Sequence, residues 1–234
     1  MSRAAVRLRR AAVPLRRAAV PLRRAARLGL VTAAASRSVL AATFAWIVVL
    51  AALYAADAGP ALPALASTAA ALLPIAAWAT AAHLAATSAD LRQLLTAANG
   101  QVRVLLTDAV PPLAWLAAAT ASGVLANAVL DPHPASLGTR LLGALLHLLC
   151  GAVGVGAGLA LHAARVSRGV QVLLVVAGTL ASARLAWLPP AGPVLSTWGA
   201  GEAPSVAAAS WALLGPGAVT AVLVVLTLGI RRRG

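Results

Sequence analysis

Few side chains in this 234-residue chain could carry chemistry, and most of those lie inside apolar runs. His147 and Cys150 are three apart, so on a helix they share one face, with His162 about four turns further on. Two soft ligands do not make a metal site, because a closed zinc site takes four and a catalytic one three. Interhelical hydrogen bonding or packing is their expected role, and no metal is expected. His83 and His133 belong to no motif. The run Gly151, Gly154, Gly156, Gly158 has the look of a phosphate cradle, but it lies within an apolar helix rather than between a strand and a helix. Gly154 and Gly158 instead form a small-xxx-small step, which lets two helices approach closely. Arg184 is the one permanently charged side chain inside an apolar span. It marks either a pore position or, about one turn from Pro189, a side chain that snorkels outward. There is no HExxH zinc pattern, no intramembrane Asp pair and no G-x-S-x-G element. All 19 basic residues are Arg. Without Lys there is no phosphate-binding P-loop lysine, no Schiff base and no serine-lysine dyad. No catalytic residue is expected.

The elements that must hold these residues are set by hydropathy. Hydrophobic residues make up 61% of the chain and charged ones 10%, against about a quarter charged in ordinary soluble domains. The mean hydropathy is +0.90. Crossing about 30 Å of hydrocarbon takes roughly 20 apolar residues. Six such segments fit in the chain: 38–56, 64–86, 110–130, 141–163, 170–188 and 206–230. Pro74 lies inside the second and predicts a kink there. The net charge of +14 does not point to nucleic acid, because the arginines sit at the ends of apolar runs instead of forming a face interleaved with aromatics. A single cysteine excludes an intrachain disulfide.

Short cytoplasmic loops carry the arginine excess in membrane proteins. With both termini inside, 17 of the 19 arginines fall on the inner side: ten up to Arg37, then Arg92, Arg103, Arg165, Arg168 and Arg231 to Arg233. Arg140 borders the outer end of the fourth span. Asp57, Asp131 and Glu202 fall in outer loops. An odd number of spans would expose one basic terminus outside. The expectation is an all-α membrane protein of six transmembrane helices, with both ends inside.

Residues 1–37 form a basic arm, built on a repeat RRAAVPL at Arg9 to Leu15 and again at Arg16 to Leu22. Pro14 and Pro21 limit it to short helical pieces. It reads either as a polybasic anchor on an anionic leaflet or as a topology-setting tail, an over-long start or a cleavable targeting peptide. Arg27 to Arg37 would suit a short interfacial helix. At the outer side, Pro189 to Pro204 (PPAGPVLSTWGAGEAP) would suit either a short re-entrant helix carrying Val194, Leu195 and Trp198 or an interfacial loop.

Residues 87–109 differ in character. Polar and charged residues alternate with Leu91, Leu94, Leu95 and then Val102, Leu105, Leu106 at three- and four-residue spacing, interrupted by Asn99-Gly100. The pattern predicts a helix, a turn and a second helix on the cytoplasmic face, ahead of a third span opened by Pro111-Pro112.

Taken together, the layout resembles the permease subunit of an ABC-2 type transporter, the type V exporter class, of the kind common in actinobacteria. The stretch Asp90 to Asp108, DLRQLLTAANGQVRVLLTD, is similar to that family's coupling helix: an acid or Arg, a Leu-Leu pair, a small-residue turn, then Arg and a second Leu-rich helix. It departs in its turn, Asn99-Gly100-Gln101, and in Asp108, where a basic residue is frequent. The resemblance implies a separate ATPase subunit that supplies ATP and magnesium, with no cofactor in this chain. It also implies a second permease copy, identical or related, and a bacterial cytoplasmic membrane. Asp90, Leu91, Arg92, Leu94, Leu95 and Arg103 are the expected docking residues, Arg184 and Trp198 the expected pore or gate residues, and Gly154 and Gly158 the packing residues. The competing readings are a non-transporting structural or immunity-type membrane protein and a small secondary transporter. The latter should show two similar halves and midplane ionisable residues. A lining of Ala, Thr, Ser and Trp would suit a lipid, peptide or other amphipathic cargo.

Overall fold

The computed structural model describes residues 36–55, 59–133, 135–185, 188, 191–198 and 205–233. The seven-residue repeat, Asp57, Glu202 and all of the 27–37 segment before Ser36 lie outside them. The described residues form helices and connections: α1 (Arg37–Ala55), α2 (Ala61–Ala85), α3 (Ala89–Asn99), α4 (Gln101–Leu130), α5 (Leu137–Ala163), α6 (Arg168–Arg184), α7 (Ala191–Trp198) and α8 (Val206–Arg233). Five of them, α1, α2, α4, α5 and α8, are long and apolar enough to cross a membrane. They carry large exposed side chains such as Phe44, Leu125, Leu141, Leu214 and Val225 on their outer faces. Lipid is the solvent in which such a surface costs little, so the chain is a membrane-embedded all-helical protein.

Two boundaries differ from the sequence expectation in ways that matter. The second helix of the polar stretch and the third span are one continuous helix, α4, with Pro111 and Pro112 in its interior and buried. Proline is tolerated there because neighbouring helices shield the freed backbone groups. The segment expected to span at 170–188 stops at Arg184, giving α6 only 17 residues. That is roughly 26 Å of helix against about 30 Å of hydrocarbon. The chain then turns, and α6 supplies the cap for α7. The Ser182 hydroxyl donates to the Leu188 carbonyl at 2.7 Å and accepts from the Ala191 and Gly192 amides at 3.0 and 3.2 Å. These amides open α7, where they have no intrahelical partner. Serine at 182 therefore ties α7 to α6. Ser182→Ala should lower the unfolding free energy by about 1–3 kcal/mol, the cost of orphaning buried polar groups, read as reduced thermal stability in detergent.

The remaining boundaries shift slightly. α2 begins at Ala61 because Pro63 is tolerated in a first turn. α5 begins at Leu137 because the Ser136 hydroxyl accepts from the Thr139 amide at 3.1 Å.

α2 and α5 are the central pair. Inside a bilayer, leucine gains little by leaving lipid, so close approach and interhelical hydrogen bonds must hold helices together. At Gly154 and Gly158 the α5 backbone lies directly on α2. A Cβ at 154 would run into the Leu73 carbonyl oxygen, and one at 158 would stand 2.7 Å from that of Ala77. α1 is stapled to α4 by two indoles: Trp46 Nε1 donates to Ser122 Oγ and Trp115 Nε1 to Thr43 Oγ1, both at 2.9 Å.

The two ends of the bundle are distinct. At one, an apolar cluster that runs on through Leu72, Leu116 and Leu50 joins the end of α2, the start of α4 and the end of α5 at Leu84, Leu105 and Leu159, with Leu228 of α8 packed against it. The other gathers the start of α2, the start of α5, α7 and the start of α8 around Ala66, Leu146, Val194, Trp198 and Ala212.

Candidate functional site

The first of these ends carries an elbow made of α3 and the first turns of α4. Gly100 joins them with φ +81°, a left-handed conformation that glycine adopts without steric cost. Its amide bonds back to the Thr96 carbonyl at 2.8 Å. The leucine spacing divides in two. Val104 and Leu105 face inward, with Leu105 in the cluster that contains Leu84 and Leu159, while Leu94 (68% exposed), Val102 (54%) and Leu106 (57%) face outward beside exposed Gln93 and Arg103. Leu95 is half-buried. Asp90 and Leu91 belong to α3 by their backbone, but their side chains lie outside the described ones.

Arg92 does not share that outer surface. Its guanidinium turns toward the bundle. Nη2 donates to the Leu84 carbonyl at 2.5 Å, Nη1 donates to His162 Nε2 at 2.8 Å, and Nε lies 3.4 Å from Asp108 Oδ2. Both side chains of the ion pair are largely covered, 17% and 11% exposed. One planar cation thus binds the last turn of α2, the last turn of α5 and the second turn of α4 to α3. The chemistry suits the position, since the last carbonyls of a helix lack intrahelical donors and sit at the negative end of its dipole. Arginine is always protonated, so His162 accepts through Nε2 and carries its proton on Nδ1. Asp108, which stands where the resembled family often has a base, is here the counter-ion of Arg92.

The other expected site residues separate. Arg184 is exposed at the end of α6, whereas Trp198 is 3% exposed, in the apolar cluster with Leu146, Cys150 and Val194. His147 and Cys150 also diverge despite their spacing. His147 bonds the Gly143 carbonyl at 2.7 Å and meets Trp46 edge-on at 6.1 Å between ring centroids, while Cys150 packs toward α7. Three buried threonines turn their hydroxyls onto their own helices. Thr68 bonds Ala64 O at 3.0 Å, and Thr80 and Thr227 bond Ala76 O and Leu223 O at 2.7 Å. These threonines therefore present no polar track along the bundle in this conformation.

Ser182 and His162 are the participants that sequence reasoning missed. His162 carried a signal in its place at the same helix end as Arg92, but nothing local pairs the two. No family model, no curated protein and no solved structure matches the chain.

Proposed function

We propose that this protein is the membrane-embedded permease subunit of an ABC transporter, an exporter driven by a separate ATPase subunit, and that the α3–α4 elbow is where that subunit docks. The single observation that carries this reading is the division of labour within the elbow. Its outer face offers Leu94, Val102, Arg103 and Leu106 to a partner, and its inner face is fastened to the ends of α2 and α5 through Arg92. A bare surface helix would need neither. A push on the elbow reaches the ends of α2 and α5 directly, and those helices cross too tightly at Gly154 and Gly158 to move independently.

The placement of arginine supports six crossings with both termini inside. The starts of α1 and α6 and the ends of α2, α5 and α8 lie at the elbow end, so alternate helices run in opposite directions. α6 completes a crossing if its end at Arg184 reaches the interface, and the exposed guanidinium there can snorkel to water. α7 then dips back into the outer half of the bundle before α8 returns. ATP and magnesium reside in the partner, and two permease copies, identical or related, form the conduit in a bacterial cytoplasmic membrane.

Affinity purification of the tagged protein from its native membrane tests the assignment. An ABC ATPase subunit should co-purify in stoichiometric amount and be lost from the Leu94→Glu, Arg103→Glu variant. Recovery of the chain without any nucleotide-binding subunit would instead favour the non-transporting structural reading.

A further inference from the structure

A second feature lies beside the elbow and does not depend on the transporter reading. Between α1, α2, α5 and α6 is a cavity of about 360 Å³, lined by Ser38, Pro74, Trp78, Gly158, Gln171 and Val175 among others. Its origin is local. Pro74 interrupts the α2 ladder, and Ala77 and Ala81 offer only methyl groups to this side of the helix. The walls are nearly all carbon, so water has few partners there. Partly exposed Trp78 and Val176, 39% and 41%, stand at its border and face what surrounds the bundle. The volume falls within the range that takes a small ligand, and in a bilayer the ligand at hand is a hydrocarbon chain.

The cavity has one polar end. Ser38 and Gln171 lie there, and Gln171 donates to the Val166 carbonyl at 2.7 Å. Exposed arginines are their neighbours along the chain: Arg37 directly precedes Ser38, and Arg165 directly precedes Val166, the residue that Gln171 bonds. Arg165 has φ 56° and occupies the residue just past the end of α5, with its amide on His162 O at 3.0 Å and that of Val166 on Leu161 O at 3.2 Å. This is the helix-ending motif whose left-handed position glycine usually fills. An arginine there accepts an unfavourable backbone conformation one residue from Val166, whose carbonyl Gln171 holds. We infer that this cavity is a binding site for one anionic phospholipid, with an acyl chain between α2, α5 and α6 and its phosphate between Arg37 and Arg165. Basic pockets between transmembrane helices at a membrane face are suited to such headgroups.

The experiment uses the full chain in mild detergent, with thermal stabilisation and native mass spectrometry as readouts. Phosphatidylglycerol should be retained and stabilising, phosphatidylcholine of matched chains less so, and inorganic phosphate alone without effect. Arg165→Gly suits the local backbone, so the helix end should persist while the preference for phosphatidylglycerol falls about fivefold. Ala81→Phe, which fills the cavity, should abolish retention of both lipids. Equal retention of the two lipids by the unaltered protein would overturn the proposal, as would stabilisation by inorganic phosphate alone or an unchanged preference in Arg165→Gly.

Discussion

Arg92→Glu is expected to detach α3 from the bundle and lower stability by roughly 3–5 kcal/mol, the range for breaking a buried charge pair by removing one partner. Three attachments go at once: the Leu84 carbonyl loses the guanidinium and keeps the longer bond from the Thr87 amide at 3.4 Å, His162 Nε2 loses the guanidinium, and Asp108 faces a second carboxylate instead of a cation. Thermal unfolding in detergent and protease sensitivity confined to 87–109 both read the effect. Arg103→Glu supplies the comparison. Its side chain is exposed, so the same change of charge should cost no more than about 0.5 kcal/mol. If the two variants unfold alike, Arg92 is not the joint between α3 and the bundle. Under the proposed transporter reading, the contrast also separates two ways of losing function, since Arg92→Glu would fail through the fold and Arg103→Glu through docking of the partner.

Gly154→Leu should be at least as damaging. A Cβ at this position collides with the Leu73 carbonyl oxygen and comes within 3.2 Å of the Ala77 amide nitrogen, both backbone atoms that no rotamer change can move. Relief requires the central helix pair to separate, and overpacking of a tight core costs about 1–3 kcal/mol even for small insertions. The expected loss is roughly 3 kcal/mol or more, and Gly154→Ala, which already adds the colliding Cβ, should cost about 1–3 kcal/mol. Gly178→Leu on α6 is the control, because a Cβ there has nothing within 4 Å. Comparable yields of folded protein from Gly154→Leu and Gly178→Leu would show that α2 and α5 do not meet at that glycine.

Hydropathy exposed most of the helices because length and apolar content are local properties. The elbow was legible for the same reason. Leucines at three- and four-residue spacing around Asn99-Gly100 announce two amphipathic pieces and the turn between them. What local pattern could not show was direction. Arg92 and Arg103 look equivalent along the chain, yet one points into the bundle because its acceptors, Leu84 O and His162, lie on helices that only the tertiary fold brings near. Leu105 and Leu106 likewise part company, one inward and one outward. Pro111-Pro112 misled in the opposite sense, since proline signals a helix start in water but is accommodated mid-helix when neighbours cover the gap. The junction after the early stop of α6 is bonded by Ser182, whose hydroxyl serves residues up to ten positions away. Trp198, expected as a pore or gate residue, lies in the apolar cluster with Leu146, Cys150 and Val194.

The proposed coupling through the outward face of the elbow can be measured directly. ATP hydrolysis by the ATPase subunit that the proposal calls for, measured in proteoliposomes with and without this chain, should rise in the presence of the unaltered protein. It should stay at the basal rate with Leu94→Glu, Arg103→Glu, a variant expected to keep its thermal stability because both side chains are exposed. Stimulation by that variant equal to that of the unaltered protein would contradict the assignment of α3–α4 as the coupling surface.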